Sequence, residues 1–490
     1  MSDSIEEPAR SFAANIRALG QERPTRIACT HVAEDGTEQS HTWGWLDRRS
    51  SEVARWLTDR GVLQGNRIAL RLRNSPELIV SAFAAWKIGA VPVPVRWDIP
   101  DWELERVLAV IEPTVHLSAD DLEAIVATDG IAVGDQPDAV SPNMHGICSS
   151  GSTGTPKVIL AALPSLHNPV FSTPMAEQWF PVPRPQTVLV LAPMYHVNAF
   201  ATLQMLMAGD TLVVMQKFDG ARALELVEKH RVSTFTCTPT MLQRMADSAG
   251  ADDRDLSSIV WINQGAAPMP PSLVHRWAKL IDPQRLIMAY GMTEGLGITA
   301  LTGAEWMEHE GSVGRGQRGT EVRIIDTEGN DLPVGEIGDI YLRAPSYGGS
   351  ILIGNQAQPK STDDGFFTVG DMGYVDADGY LFIIDRRVDM IISGGANVFP
   401  AEVETALIDH PQIADVVVIG LKDPEWGRRV HAIIEPADPA DPPTAEAVIA
   451  YAKSKILPYK VPKTVELIDA IPRSAATKVN RGRLIEEREG

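Results

Sequence analysis

The sequence predicts the α/β class: a large N-terminal domain of layered α/β sheets over residues 1–386, carrying a small β subdomain at about 310–386, and a small α+β domain over 387–490. Three observations carry this expectation. Helical and extended patterns alternate before residue 310, Gly-rich turns separate short strand-like runs after it, and the last hundred residues return to mixed helices and strands. Repeated α then β units belong to sheets with helices packed on their faces. At roughly 150 residues per domain, 490 residues hold about three folding units.

The elements follow in order. In NSPELIVSAFAAWKIGAVPVPV, Ser75 reads as a helix cap, Pro76 as a first-turn residue and Ile79, Phe83 and Trp86 as an apolar face; Gly89 stops the helix and an extended run follows. The alternation returns in ALELVEKHRVSTFTCTPTMLQRM. There a helix ending near His230 feeds the β-branched run Val232 to Thr238, and Pro239 opens another helix. Past residue 310 the turns GSVGRG, DTEGN, GEIGD and DADGY separate runs such as VRIID and IYLRA. Beyond Arg387 come a helix from Pro400 to His410, strands at ADVVVIGL and VHAIIEP, a helix near Ala445 to Leu457 and a strand VELID. No internal repeat of fixed period is present.

Composition narrows the function classes. With 44% hydrophobic and 22% charged residues the chain falls near the globular average, which excludes a mostly disordered or collagen-like protein. The formal net charge of −20 repels nucleic acid and anionic membranes, so any phosphate must be held by a local site. Cys29, Cys148 and Cys237 are odd in number and lack a CxxC spacing, which predicts buried thiols rather than a disulfide framework or a zinc site. The N-terminus MSDSIEEPAR is acidic, and Lys87 and two prolines interrupt the most apolar long stretch, Leu78 to Val95. A cytoplasmic protein without a membrane span is expected.

Several motifs carry chemistry. SSGSTGTPK, from Ser149 to Lys157, gathers glycines, hydroxyl residues and a lysine, a composition that suits either a phosphate cradle or a polar hairpin turn. It is not a Walker A loop, because Thr155 and Pro156 intervene between Gly154 and Lys157. YGMTEG sets Tyr290, Thr293 and Glu294 after the apolar LIMA; a carboxylate beside a hydroxyl suits Mg²⁺ and phosphate, and equally an ordinary surface turn. TVGDMG, DRRVDMIISGGANVFPAEVE and PRSAATKVNRGRL contribute Asp371, Arg386 and Lys478.

Taken together and in this order, from about Thr42 to Leu484, these segments resemble the adenylate-forming superfamily of acyl-CoA synthetases, luciferases and nonribosomal-peptide adenylation domains. HTWGWLD, NQGAAPMP, GSVGRG, GEIGDIYLRAP and LPYKVPK extend the likeness. Amino-acid-activating members carry an Asp that pairs with the substrate ammonium, in a context where this chain has PMYHVNAF, so an acid without an α-amino group is implied. Only twelve residues follow Lys478, so a free thiol such as coenzyme A, or a separate carrier, is the expected acceptor. EHEGSVG, LSSIVWINQGAAPMP and DRRVDMIISGGANVFPAEVE look most like bile-acid-CoA ligases and related ligases of polycyclic acids, which implies a bulky hydrophobic substrate. Medium-chain fatty and aryl acids are the alternative.

The resemblance implies ATP, Mg²⁺ and coenzyme A as cofactors and a carboxylic acid as partner molecule, and leaves a homodimer open. It implies residue roles too. Ser149, Ser150, Gly151, Ser152, Thr153, Gly154 and Lys157 would cradle the β and γ phosphates, while Tyr290 with Gly265, Ala266 and Ala267 would sandwich adenine. Thr293 would touch the α-phosphate, Glu294 would hold Mg²⁺, Asp371 would accept from the ribose hydroxyls beside Arg386, and Lys478 would be the catalytic cation. The small domain of such enzymes is mobile, rotating about a hinge that matches Val388; Gly394 and Gly395 would then line the thiol tunnel, with His196 at its inner end.

Two departures from the family pattern stand out. Val388 replaces the usual Lys or Asp, and its branched side chain restricts the backbone; Thr477 replaces the Gly that usually precedes the catalytic lysine. The acyl pocket implied by the resemblance draws on His196, Asn198, Ala199, Gly265, Gly291, Gly295 and Gly297, with Thr299 beyond them. Their small side chains predict open volume, although glycines at 295 and 297 also suit tight turns.

Overall fold

The computed structural model describes residues 10–134, 138–150, 156–167, 173–344, 350–354, 359–368, 370–386, 389–473 and 479–489. A nine-stranded sheet is the spine of the N-terminal part. Its order is Arg315–Gly316, Ile298–Thr302, Leu286–Gly291, Trp261–Gln264, Thr234–Cys237, Thr187–Val190, Thr211–Met215, Ile27–Val32 and Glu38–Thr42. The six strands from Leu286–Gly291 to Ile27–Val32 run parallel, and antiparallel strands close both edges. From Thr187–Val190 the chain goes first to Thr211–Met215 on one flank and then to Thr234–Cys237 on the other. Such a reversal opens a crevice at the carboxyl ends of the strands.

Each face of this sheet buries its own core. Val188, Val190, Leu212 and Val214 point into one, with Trp43, Phe83, Trp86 and Phe200; Leu189, Leu191, Val213 and Met215 point into the other, with Phe235, Leu242, Trp277 and Trp306. The alternation is the period of two that a strand imposes. The expected helix starting at Pro76 is present as Pro76–Lys87, with Ser75 Oγ accepting from Leu78 N at 3.2 Å. Along it Trp86 meets Phe12 edge-on at 4.9 Å and donates Nε1 to the Met144 carbonyl at 2.7 Å. Helices Gly220–Lys229 and Pro239–Ala246 flank the strand expected between them.

Smaller sheets surround the spine. Arg67–Leu70 pairs in parallel with Val91–Pro94 and Val115–Leu117. Between Glu321 and Arg386 a six-stranded sheet forms as the Gly-rich turns predict, with one difference. The strand Ser350–Ile353 leaves that region and pairs antiparallel with Pro156–Ala161.

The C-terminal part has the expected elements, with bounds shifted by a few residues. Helix Pro400–Ile408 and helix Ala445–Lys455 cover a sheet built on the long antiparallel pair Ile413–Asp423 and Gly427–Pro436, with Thr464–Leu467 at its side. Asp385, buried at the end of the preceding sheet, accepts from Ala401 N at 3.0 Å in the first turn of Pro400–Ile408, where backbone donors lack intrahelical partners. The expected domain boundary, between 386 and 387, adjoins residues 387 and 388, which lie outside the described residues.

The cysteines are free thiols, Cys29 and Cys237 buried and Cys148 partly so; burial pushes the thiols of Cys29 and Cys148 up to about 12. Among the described residues no helix is long and apolar enough to cross a membrane.

Candidate active site

The strands Gly146–Ser150 and Pro156–Ala161 lie antiparallel, with Ser149 opposite Lys157 and Ser150 opposite Pro156. Gly151, Ser152, Thr153 and Gly154, between them, lie outside the described residues. Lys157 Nζ donates to Glu294 Oε1 at 2.8 Å, and the two side chains keep only 20% and 12% of their surface exposed. Glu294 reaches this position from a turn that follows the strand Leu286–Gly291. Gly295 N donates to Met292 O at 3.0 Å to close the turn, and Gly295 takes φ +68°, a conformation that favours glycine. Thr293 lies in the same turn, partly buried.

On the same strand, Tyr290 donates its hydroxyl to Asp371 Oδ2 at 2.6 Å, and Asp371 is buried. Asp371 and Arg386 are opposite partners in the antiparallel register of Asp371–Val375 and Leu381–Arg386. The next strand of the spine ends at Gln264, so Gly265, Ala266 and Ala267 emerge at the same edge. Ala266 takes φ +72°, a left-handed conformation that costs a residue with a Cβ about 1–2 kcal/mol. Buried Gln264 braces this turn, donating Nε2 to the Ala267 and Gly265 carbonyls at 2.8 and 3.2 Å. Sequence reasoning missed Gln264, although an amide ending a strand just before a glycine turn is the signal that could have revealed it.

His196 precedes the short helix Val197–Phe200, its ring 4.3 Å from that of Tyr195, and Asn198 is exposed. Among the small residues expected to line an open acyl pocket, Ala199, Gly297 and Thr299 are engaged in packing or hydrogen bonding. Ala199 is buried in the core with Phe83, Trp86 and Phe200. A Cβ at Gly297 would lie 2.7 Å from Thr320 Cγ2 and 3.1 Å from Leu342 Cβ, so this glycine serves the close packing of a neighbouring sheet. Thr299 is fully buried and donates to the Val313 carbonyl at 2.8 Å. Gly295 answers a backbone requirement, and Cβ positions at Gly265 and Gly291 would lie 3.3 Å from the carbonyls of Ala289 and Gly297.

In the C-terminal part Gly394 and Gly395 both take positive φ, +57° and +81°, and a Cβ at Gly394 would lie 2.8 Å from the Trp426 ring. Lys478 and Val388 lie outside the described residues. Three residues after Lys478 is Arg481, which sequence reasoning did not single out. It pairs with Glu404 at 2.8 Å and with Asp389 at 3.4 Å; burial works against its charge, and the carboxylates of Glu404, Asp389 and Asp385 outweigh burial and raise its pKa.

The donor set suits a nucleotide triphosphate with a hard cation. A carboxylate and an ammonium meet at Glu294 and Lys157, with Thr293 next to Glu294 in the same turn, and oxygen ligands of this kind match Mg²⁺. A buried carboxylate with a phenol beside it, Asp371 with Tyr290, can accept from vicinal hydroxyls.

Known proteins share this arrangement of domains. The family described as AMP-binding enzyme matches residues 16–350, and its C-terminal domain matches 402–478. A feruloyl-CoA synthase of an Amycolatopsis species is 33% identical over 92% of this chain and 94% of its own length. An indoleacetate–CoA ligase of Aromatoleum aromaticum is 31% identical over 91% and 92%. The o-succinylbenzoate CoA synthetase of Bacillus subtilis, 25% identical, superposes with a TM-score of 0.84 over 99% of this chain and 100% of its own in its complex with an acyl-adenylate. Its complex with ATP and magnesium superposes with a TM-score of 0.80 over 96% and 98%.

Proposed function

This chain belongs to the AMP-binding enzyme family, and from that premise we propose that it is an ATP-dependent acid–CoA ligase acting on an aryl carboxylic acid through an acyl-adenylate. The Lys157–Glu294 pair, together with the Tyr290–Asp371 hydrogen bond on the strand that leads to Glu294, is the observation that carries the reading. Aryl acids are favoured because the feruloyl, indoleacetyl and succinylbenzoyl relatives all activate them by name. Ala199, Gly297 and Thr299, among the small residues that pointed to a large pocket, are occupied in packing.

In this reading the acid's carboxylate oxygen bonds to the α-phosphorus of ATP as pyrophosphate leaves, and the thiol sulfur of coenzyme A then bonds to the acyl carbon as AMP leaves. Ser149 to Lys157 hold the outer phosphates, Thr293 the α-phosphate, Asp371 the ribose, and Tyr290 with Gly265 to Ala267 the adenine. Glu294 is the Mg²⁺ ligand; the cation supplies charge neutralisation on the phosphates. Lys478 offsets the charge that builds as two anions approach. The segment 387–490 turns as a unit about Val388, carrying Lys478 away and bringing Gly394 and Gly395 to a thiol path that ends at His196.

Hydroxylamine trapping across fatty, aryl and polycyclic acids tests the substrate class without any thiol acceptor. Aryl hydroxamate is expected, and trapping of fatty or polycyclic acids alone overturns the aryl reading. Lys478→Ala should slow adenylation by about 10²- to 10³-fold while thioester formation from a supplied acyl-adenylate persists. Exchanging coenzyme A for a purified carrier protein should abolish product.

A further inference from the structure

The strands Asp371–Val375 and Leu381–Arg386 are joined by the turn DADGY, which meets the end of helix Gly303–Glu308. Backbone bonds fix this meeting. Ser312 Oγ and Val313 N, just after the helix, both donate to the Leu381 carbonyl at 2.8 Å, and Leu381 N donates to Gly314 O at 2.8 Å. His309 closes the helix by donating its backbone N–H to Glu305 O at 3.0 Å, and its Nδ1 stands 3.0 Å from Asp376 Oδ2 in the turn. The His309 ring stacks on Tyr380 at 3.7 Å and 19°, and the Tyr380 hydroxyl donates to Glu305 Oε1 at 3.2 Å. The imidazole plane is therefore held from the helix and from the turn.

A hydrogen bond between His309 and Asp376 accounts for two of the side chains here and not for a third. Asp376 Oδ1 accepts from Asp378 N at 3.0 Å and from Tyr380 N at 2.8 Å, and Gly379 takes φ +79°, so the turn holds Asp378 beside Asp376. One donor atom from each of His309, Asp376 and Asp378 lies within 4.8 Å of the other two. Among the described residues no lysine or arginine pairs with the Asp378 carboxylate, so two like charges share the turn with a single imidazole. Donors bound to one ion at about 2.0–2.2 Å stand about 3–4 Å from each other. Rotation of the exposed Asp378 side chain closes the set to that spacing without moving the backbone.

We propose that His309, Asp376 and Asp378 bind a divalent first-row transition ion such as Zn²⁺, at a structural site separate from the Mg²⁺ position assigned to Glu294. The site goes beyond the ligase reading and does not depend on it. One imidazole nitrogen with two carboxylate oxygens suits zinc, cobalt or manganese, whereas magnesium and calcium favour oxygen ligands alone. The ion takes the place of the proton shared by His309 and Asp376, and water completes its coordination on the exposed side. Bound there, it joins the end of helix Gly303–Glu308 to a turn 67 positions further along the chain. The far end of the same hairpin presents Asp371 and Arg386. An ion held by both segments binds the folded chain in preference to the unfolded one, and stabilises it by mass action.

Equilibrium dialysis of the full chain against Zn²⁺, with Mg²⁺ held in excess, tests the site. One Zn²⁺ per chain should bind. Its affinity should fall at least about 10- to 100-fold in His309→Gln and in Asp378→Asn, since even partners beyond the ligands are worth that much. Glu294→Gln should bind the ion unchanged. The rise in unfolding midpoint on adding Zn²⁺ should vanish in the same two variants, and with Co²⁺ as the probe a visible absorption band should appear in the unmodified protein and be lost in His309→Gln. Asp378 is exposed, so Asp378→Asn reports on the site even where His309→Gln does not fold. Absence of Zn²⁺ binding to the unmodified protein overturns the proposal. Equal affinity in the folded variants does so as well, marking an adventitious ion only, and loss in Glu294→Gln alone would move the ion to the nucleotide site. Pyrophosphate release enters none of these readouts, so failure here leaves the ligase reading untouched.

Discussion

Lys157 Nζ and Glu294 Oε1 stand 2.8 Å apart, joining residues 137 positions distant in the chain. One comes from a strand beside the Gly- and Ser-rich loop, the other from a turn held by Gly295 at the edge of the spine sheet. Each would serve the nucleotide in the proposed reaction, so without nucleotide each neutralises the other. In the proposed reaction, incoming phosphate would take over the role of the carboxylate toward Lys157, and the cation that of the ammonium toward Glu294.

Breaking this pair from one side leaves a largely buried charge behind. Lys157→Met should lower stability by about 1–3 kcal/mol, and Lys157→Met with Glu294→Gln should recover at least half of the loss. Urea midpoints of the two single variants and the double variant check this. Additive losses would mean that the two side chains are not coupled.

Tyr290 and Asp371 make a second link of the same kind. Removing one hydroxyl by Tyr290→Phe deprives a buried carboxylate of a donor at 2.6 Å, which should cost about 1.5–3 kcal/mol. The same change should weaken binding of an ATP analogue in calorimetry, because Asp371 loses the partner that orients it. A variant with unaltered midpoint and affinity removes the pair from the site.

The layers and most elements were legible because their causes are local. Ser75 and Pro76 start a helix by capping chemistry, and the β-branched and apolar runs around Thr234 and Val416 form strands. The candidate site was legible through motifs that end strands, and packing between three sheets then pairs Lys157 with Glu294 and Tyr290 with Asp371. What the sequence hid was non-local. That Gly297 faces Thr320 and Leu342, that Ser350–Ile353 joins Pro156–Ala161, and that His309 meets Asp376 are facts of packing between distant segments. Small residues read alike in a sequence whether they line a void or permit a close approach.

Gly297 makes that distinction measurable. Gly297→Ala places a methyl group 2.7 Å from Thr320 Cγ2, and overpacking of this degree costs about 1–3 kcal/mol. Thr320→Ser deletes the opposing methyl while keeping the hydroxyl that accepts from Ile298 N at 3.1 Å, so the double variant should regain stability. The ratio of kcat/KM between small and large acids should be unchanged in both. A shift toward smaller acids in Gly297→Ala would restore the glycine to the acyl pocket.

The last expectation concerns acid. Burial lowers the pKa of His145 from 6.5 to about 4, with the ring edge-on to Phe200 at 5.7 Å. Between those two values the unfolded chain binds a proton that the folded chain refuses, so stability rises with pH across the window and is lost as pH falls from 6.5 toward 4. At about 1.4 kcal/mol per unit, the loss from this residue between pH 7 and 4.5 is on the order of 2 to 3 kcal/mol. His31, His41, His116, His167 and His431 are also lowered, chiefly by burial, and add to the trend. The contribution of His145 is therefore read as a difference: His145→Gln should lose less stability than the unmodified protein between the two pH values, whatever its stability at pH 7. Equal losses in urea titrations at pH 7 and 4.5 would mean that His145 takes up its proton while folded, and that its surroundings admit water.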